Sequence, residues 1–182
     1  GETKGDTVNV AEAGTYTFEM GMLSYYTSDP KYYQAGKKAS LALFNRRSDI
    51  GLIGDVIDVQ TGEWVSGQSH ICAGVDSYYE YLYKSYLMFG DAEMGKIWTE
   101  SIDSVHKYIA DNYEDRLWYG RVDMNTGEKQ SSVVTLYDAF FPAIMALSGD
   151  MKTAREFQET RFWLWNKYGL EPVSYDYKKG VT

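Results

Sequence analysis

Apolar and aromatic residues crowd three stretches of the chain on nearly all sides, residues 11–28, 76–89 and 135–148. Three others, residues 30–47, 91–111 and 150–168, confine them to one face and carry charge on the opposite one. Helices that are apolar all round are buried, and one-faced helices lie at a surface, so the pattern predicts three inner helices alternating with three outer ones. Each outer stretch opens with an aspartate, Asp29, Asp91 or Asp150, where a carboxylate can accept the unpaired amide hydrogens of a helix start. Between an outer helix and the next inner one, residues 52–59 and 63–65 flank Gln-Thr-Gly, and residues 118–124 and 128–130 flank Asn-Thr-Gly. Both segments read as β-hairpins.

The pattern repeats. Val-Ile-Asp-Val-Gln-Thr-Gly-Glu at 56–63 returns 65 residues later as Arg-Val-Asp-Met-Asn-Thr-Gly-Glu at 121–128. An independent series, Ser28-Asp29, Gly90-Asp91 and Gly149-Asp150, recurs at intervals of 62 and 59 residues, each time between an inner and an outer helix. Two series with one period of about sixty residues define a repeating unit. Inner helix, tight turn, outer helix and hairpin can bury the inner layer only if units stack or curve around an axis. The all-round apolar inner helices favour the curved form: an all-α fold, a segment of an (αα) toroid with β-hairpins between outer and inner helices. First-turn side chains of successive inner helices then converge on the axis, and at matched positions these are Glu12, Asp76 and Thr135.

Composition narrows the chemistry. The 18 Lys and Arg against 26 Asp and Glu give a net charge of −8 over 182 residues, which repels polyanions and argues against nucleic acid as a partner. No apolar run approaches the length of a bilayer span, so this stretch is expected to make no membrane contact. Cys72 is the only cysteine, which leaves no disulfide and no Cys-rich metal site within these residues. Aromatic residues make up 16% of the chain, with 17 Tyr, and such rings can line a groove for a polar ligand.

Four acids sit on inner, otherwise apolar helices: Glu12 and Glu19 on the first, Asp76 and Glu80 on the second. Buried acids are costly unless paired or facing a polar cavity, so their placement points to function. Asp76 reads equally well as a helix cap, and Glu19 as the partner of a neighbouring arginine. Of the two histidines, His106 is expected on a solvent-facing outer surface. His70 precedes Cys72 in a loop, and a Cys-His nucleophile would need a third, orienting group that the sequence does not identify. No phosphate loop, zinc-helix or EF-hand pattern occurs. Paired carboxylates in an aromatic cavity remain, and that combination suits glycoside hydrolysis.

The run Ala-Gly-Val-Asp-Ser-Tyr-Tyr-Glu-Tyr-Leu-Tyr-Lys at 73–84 resembles the signature of class I α-mannosidases, glycoside hydrolase family 47. Three further stretches agree: Asn-Val-Ala-Glu-Ala-Gly-Thr at 9–15 with Glu19, Leu23-Ser24 through Asp29-Pro30-Lys31-Tyr32, and Gly-Leu-Ile-Gly at 51–54 with Thr61, Gly62 and Trp64. Within the family the chain is most similar to the branch of ER degradation-enhancing α-mannosidase-like proteins. Gly74 stands where processing mannosidases carry an arginine, and Ala139-Phe140-Phe141-Pro142 also resembles that branch.

The resemblance implies an (αα)7 barrel in the lumen of the endoplasmic reticulum. It further implies inverting hydrolysis of terminal α-1,2-mannose on high-mannose N-glycans of misfolded glycoproteins, a bound calcium ion, and a protein disulfide isomerase as partner. Carried over by position, Asp76 corresponds to the active-site aspartate, and Glu12, Glu80, Glu19 and Gly74 to the substrate-binding wall. The family's general acid would precede Gly1, and its base and calcium ligands would follow Thr182, so no metal ligand is expected here. Residues 1–182 thus read as about two and a half units from the middle of a single catalytic domain. They would depend on its remaining segments and expose an apolar flank at each end. A glycan- or client-binding module that kept the cavity without turnover, and a helical scaffold whose acids are only caps, are the competing readings.

Overall fold

The computed structural model describes residues 5–182. Three units follow one another along the chain. The first contains β1 (Thr7–Asn9), α1 (Val10–Gly14), α2 (Thr17–Thr27), α3 (Lys31–Phe44), β2 (Val56–Asp58) and β3 (Trp64–Ser66). The second begins with β4 (Gln68–Ser69), α4 (Asp76–Phe89) and α5 (Ala92–Ser104), which runs on as a π-helical turn, Val105–Ile109. Strands β5 (Ala110–Tyr113), β6 (Arg116–Tyr119), β7 (Arg121–Asp123) and β8 (Lys129–Ser131) complete it. The third holds β9 (Val133–Thr135), a 3-10 turn over Leu136–Phe140, α6 (Phe141–Ser148), α7 (Met151–Tyr168) and β10 (Ser174–Asp176).

Helices α2, α4 and α6 stand side by side as the inner layer, and α3, α5 and α7 pack outside them one for one. In every unit the strand before the inner helix pairs antiparallel with a strand that follows the outer helix, β2 in the first unit, β7 in the second and β10 in the third. Val8 faces Ile57, Ser69 faces Val122, and Val134 faces Tyr175. The core runs between the layers through Tyr78, Tyr79 and Leu82 of α4, Met94 and Ile97 of α5, and Phe141 and Phe157 of the third unit, all buried. Apolar side chains lie exposed at both ends of the array, Tyr25 and Tyr26 on α2 and Phe162 and Trp165 on α7.

The second repeat series has a backbone cause. Ser28, Gly90 and Gly149 each end an inner helix in the left-handed conformation, at φ of 57°, 65° and 95°. Glycine enters that region without the Cβ penalty. The aspartates that follow serve the next helix: Asp91 accepts the Glu93 and Met94 amides, Asp150 accepts the Thr153 amide, and Asp29 accepts the Lys31 amide. Asp91 also binds back to the preceding outer helix through Tyr33 Oη at 2.7 Å and Lys37 Nζ at 2.6 Å.

Three elements differ from the sequence expectation. The stretch 11–28 is two helices, because the Gly14 carbonyl turns away to accept the Ser40 hydroxyl of α3 at 3.0 Å. The stretch 135–148 begins as a 3-10 turn, since Pro142 near the start of α6 has no amide to donate. The strand expected from Trp118 is divided. Its first part folds back on β5 through a two-residue turn in which Glu114 and Asp115 take φ of 50° and 57°. Such a turn ordinarily announces itself by Asn or Gly, and here neither is present.

A third hairpin turn matches the two visible in the sequence. Asp58, Asp123 and Asp176 each accept two following amides, and each passes a carbonyl to a glycine four residues on, Gly62, Gly127 and Gly180. Hydrogen bonds from Ser132 and Lys179 hold the Asp176 carboxyl down at about 2. An unfolded aspartate titrates near about 3.9. The stabilisation it supplies is therefore complete above the unfolded value and is lost as pH falls through the folded one. The difference in melting temperature between the native protein and Asp176→Asn is expected to shrink steadily from pH 5 to pH 2, followed by circular dichroism.

Inner helices also bond directly to one another. Ser85 Oγ of α4 donates to Thr17 Oγ1 of α2 at 2.7 Å, and both residues are fully buried. Thr17→Val strands the Ser85 hydroxyl in the core and is expected to cost about 1–3 kcal/mol. Adding Ser85→Ala should recover most of that loss in denaturant melts.

Candidate active site

The signature acid sits where the loop from β4 enters α4. Val75 occupies the cap position, and Asp76 is the first helical residue. The capping role open to Asp76 in the sequence is therefore not the one it has. Its side chain is half-buried. Burial raises its carboxyl above the ordinary aspartate value, the Ser77 amide opposes this, the Glu80 charge adds to it, and His70 opposes it.

Glu12 lies on the short helix α1, whose start is capped by Asn9 accepting the Glu12 amide at 2.8 Å. Two main-chain bonds tie this turn to the site: the Ala11 amide donates to the Gly74 carbonyl at 2.8 Å, and the Val10 amide donates to Asp55 at 3.1 Å. A Cβ on Gly14 would run into the Tyr78 ring, so α1 lies hard against α4. Glu12 and Asp76 are thereby held in adjacent first turns, Glu12 exposed and Asp76 partly covered. Gly74 has φ of 95°, and a Cβ there would meet Asn9 at 3.9 Å, an ordinary contact. Its backbone conformation, rather than any lack of room, is what favours glycine there.

Glu80 and Glu19 lie further along the inner face. Glu80 pairs with Lys84 at 2.5 Å, and Glu19 accepts the Tyr81 hydroxyl at 3.0 Å rather than meeting an arginine. Glu19, Tyr81 and Lys84 line a hollow of about 400 Å³ with Phe18, Leu87 and Met88 between α2 and α4. Of the four sequence-identified acids, Asp76 and Glu80 act on one another along α4, Glu19 reaches α4 through Tyr81, and Glu12 lies on α1.

Two features escaped the sequence. Asp138, one turn after Thr135, is 1% exposed and accepts both the amide and the hydroxyl of Thr135, at 2.6 and 2.9 Å. Burial raises its carboxyl, with Arg161 opposing. The Thr-x-x-Asp spacing of a capping box was its signal. The other is the third group that the His70–Cys72 pair lacked: Asp55 Oδ2 lies 3.3 Å from His70 Nε2, and His70 Nδ1 lies 3.1 Å from Cys72 Sγ. The set is nevertheless no nucleophile. Cys72 is 2% exposed, and burial pushes its thiol up to about 12, whereas a reactive cysteine needs an accessible thiolate.

His106 is not solvent-facing as expected. It is half-buried, with Nδ1 2.8 Å from Tyr119 Oη and Nε2 3.7 Å from Asp150. Among the described residues no group of three or more His, Cys, Asp or Glu side chains could hold a metal ion. The calcium implied by the resemblance finds no fitting ligand set among the described residues. No described helix is long and apolar enough to cross a membrane.

Residues 1–180 match the profile of Glycosyl hydrolase family 47. The chain belongs to that family. Among family relatives, alpha-mannosidase I MNS4 of Arabidopsis thaliana is 36% identical over 92% of this chain and 26% of its own length. ER degradation-enhancing alpha-mannosidase-like protein 2 of Homo sapiens is 34% identical over 94% of this chain and 29% of its own length. The α-1,2-mannosidase from Trichoderma reesei superposes with a TM-score of 0.76 at 23% identity, over 95% of this chain and 39% of that one. At that identity the likeness shows the fold, and the three helix pairs are a segment of its α/α barrel. The chain spans less than a third of the length of the Arabidopsis and human relatives.

Proposed function

We propose that these residues form part of the catalytic domain of an α-1,2-mannosidase of the endoplasmic reticulum lumen. In this reading the whole protein trims terminal mannose from high-mannose N-glycans of misfolded glycoproteins and so marks them for degradation. The observation that carries it is Asp76, an acid that is the first residue of an inner helix rather than its cap and is partly withdrawn from water beside the turn bearing Glu12. Inversion requires water to attack C1 of the sugar from the face opposite the departing oxygen. The C1–O bond breaks, a general acid protonates the leaving oxygen, and a base takes the proton of the water.

Asp76 is assigned to orienting that water, and Glu12 to hydrogen-bonding the sugar or the water. Glu80, Glu19 and Gly74 belong to the substrate-binding wall. The acid, the base and any calcium ligands come from other segments of the same domain. A protein disulfide isomerase remains the partner suggested by family resemblance.

The test is direct: the whole protein is mixed with a high-mannose N-glycan and the first mannose released is followed by proton NMR. Mannose appearing as the β-anomer supports the proposal. Release as the α-anomer overturns inversion. Tight glycan binding without release establishes instead the binding module that would keep the same cavity.

A further inference from the structure

The contacts around the signature loop close on themselves. Burial acts to raise the Asp55 carboxyl, but the hydrogen bonds from His70 and Ser66 outweigh it and leave the group below its ordinary value. An ionised carboxylate only accepts, so the His70 Nε2 hydrogen points to Asp55. In the neutral ring Nδ1 is then the acceptor, and the protonated Cys72 thiol donates to it. The Cys72 carbonyl takes the Val75 and Asp76 amides, both at 3.1 Å. The main chain completes the circuit, with Gly74 bonded to Ala11 and Asp55 bonded to Val10. The ring begins and ends at Asp55, and it carries Asp76 on one side and the turn bearing Glu12 on the other.

We propose that Asp55 and His70 are positioning residues that fix Asp76 against Glu12 through this ring, with Cys72 as the link. The inference rests on the reading of Asp76 as the carboxylate that orients water. His70 and Cys72 are each 2% exposed, so neither meets substrate and both act through Asp76. The charged groups around the two side chains are Asp55, Asp76, Asp138 and Arg121, with Glu80 beside Asp76. Burial and the Glu80 charge raise the Asp76 carboxyl, and His70 opposes them. Removing the ring therefore lets that carboxyl rise further, which a role in packing alone does not produce.

His70→Gln in the whole protein keeps a donor for Asp55 and removes the imidazole, and with it the Nδ1 acceptor for the thiol. The expected result is a fall in kcat of about tenfold with KM within about twofold. The acid limb of kcat and the Asp76 midpoint, the latter read by carboxyl carbon NMR, should both move to higher pH. A folded His70→Gln protein with native kcat and an unmoved Asp76 midpoint overturns the proposal. If that variant does not fold, Asp55→Asn, which keeps the side-chain shape, should lower kcat about tenfold at unchanged KM, and native kcat there overturns it equally. Asp76→Asn separates the two ideas. If it leaves mannose release intact, the reading of Asp76 fails, and the Asp76 midpoint in His70→Gln alone then decides whether the ring sets that group.

Discussion

Asp76→Asn is expected to reduce mannose release by the whole protein about a thousandfold while changing its stability by no more than about 1 kcal/mol. The substitution preserves shape and removes only the charge and the capacity to accept a proton. Because Asp76 is not the cap of α4, no capping bond is lost. Because burial raises its carboxyl, the charged form is disfavoured in the folded state at neutral pH, and neutralising it offsets the lost attraction to the helix start. Stability and activity are therefore expected to separate. Initial rates on a high-mannose N-glycan, beside urea melts of the same preparations, measure both. Release within threefold of the native rate would sink the assignment, and a large loss of stability with intact release would revive the scaffold reading.

The largest expected effect on folding lies at Phe141. It is fully buried at the start of α6, and its ring meets Tyr119 of β6 at 4.9 Å and Phe157 of α7 at 6.2 Å, both edge-on, with His106 at 6.1 Å. One side chain thus joins the second unit, the inner helix of the third and its outer helix. Phe141→Ala removes the ring and leaves a cavity among rigid aromatic neighbours that cannot collapse into it, so about 3–5 kcal/mol is the expected loss. The shift in urea midpoint reads it. Amide exchange should quicken first in α6 and α7, and uniform exchange across all three units would contradict the joint described.

What the sequence disclosed was what the backbone demands. The octets at 56–63 and 121–128 are recognisable because the turn needs an aspartate that accepts two amides and a glycine four residues on. The third copy, Asp176 to Gly180, has the same bonds, but Tyr177, Lys178 and Lys179 stand at positions the turn leaves free, so the likeness vanished. The inner and outer helices and the acids Glu12, Asp76, Glu80 and Glu19 were legible for a similar reason, since apolar periodicity and a long signature survive in one dimension. The ring through Asp55 and His70 was not, because its members are fifteen residues apart and meet only after the three strands between them have folded. Asp138 was overlooked because it follows Thr135, which carries no charge, at the position matched to Glu12 and Asp76.

Strand pairing also bears on the order in which the chain can fold as it is synthesised. β1 pairs with β2, β4 with β7 and β9 with β10, so each partner arrives before the next unit has begun. A chain leaving the ribosome can close one unit, cover its outer helix and present a finished inner face before the following helix pair emerges. Each of these pairings encloses one helix pair and stays within its own unit, so none waits for a later one. What must wait for later segments is only the seam between neighbours, where Phe141, Tyr119 and the Thr17–Ser85 bond lie.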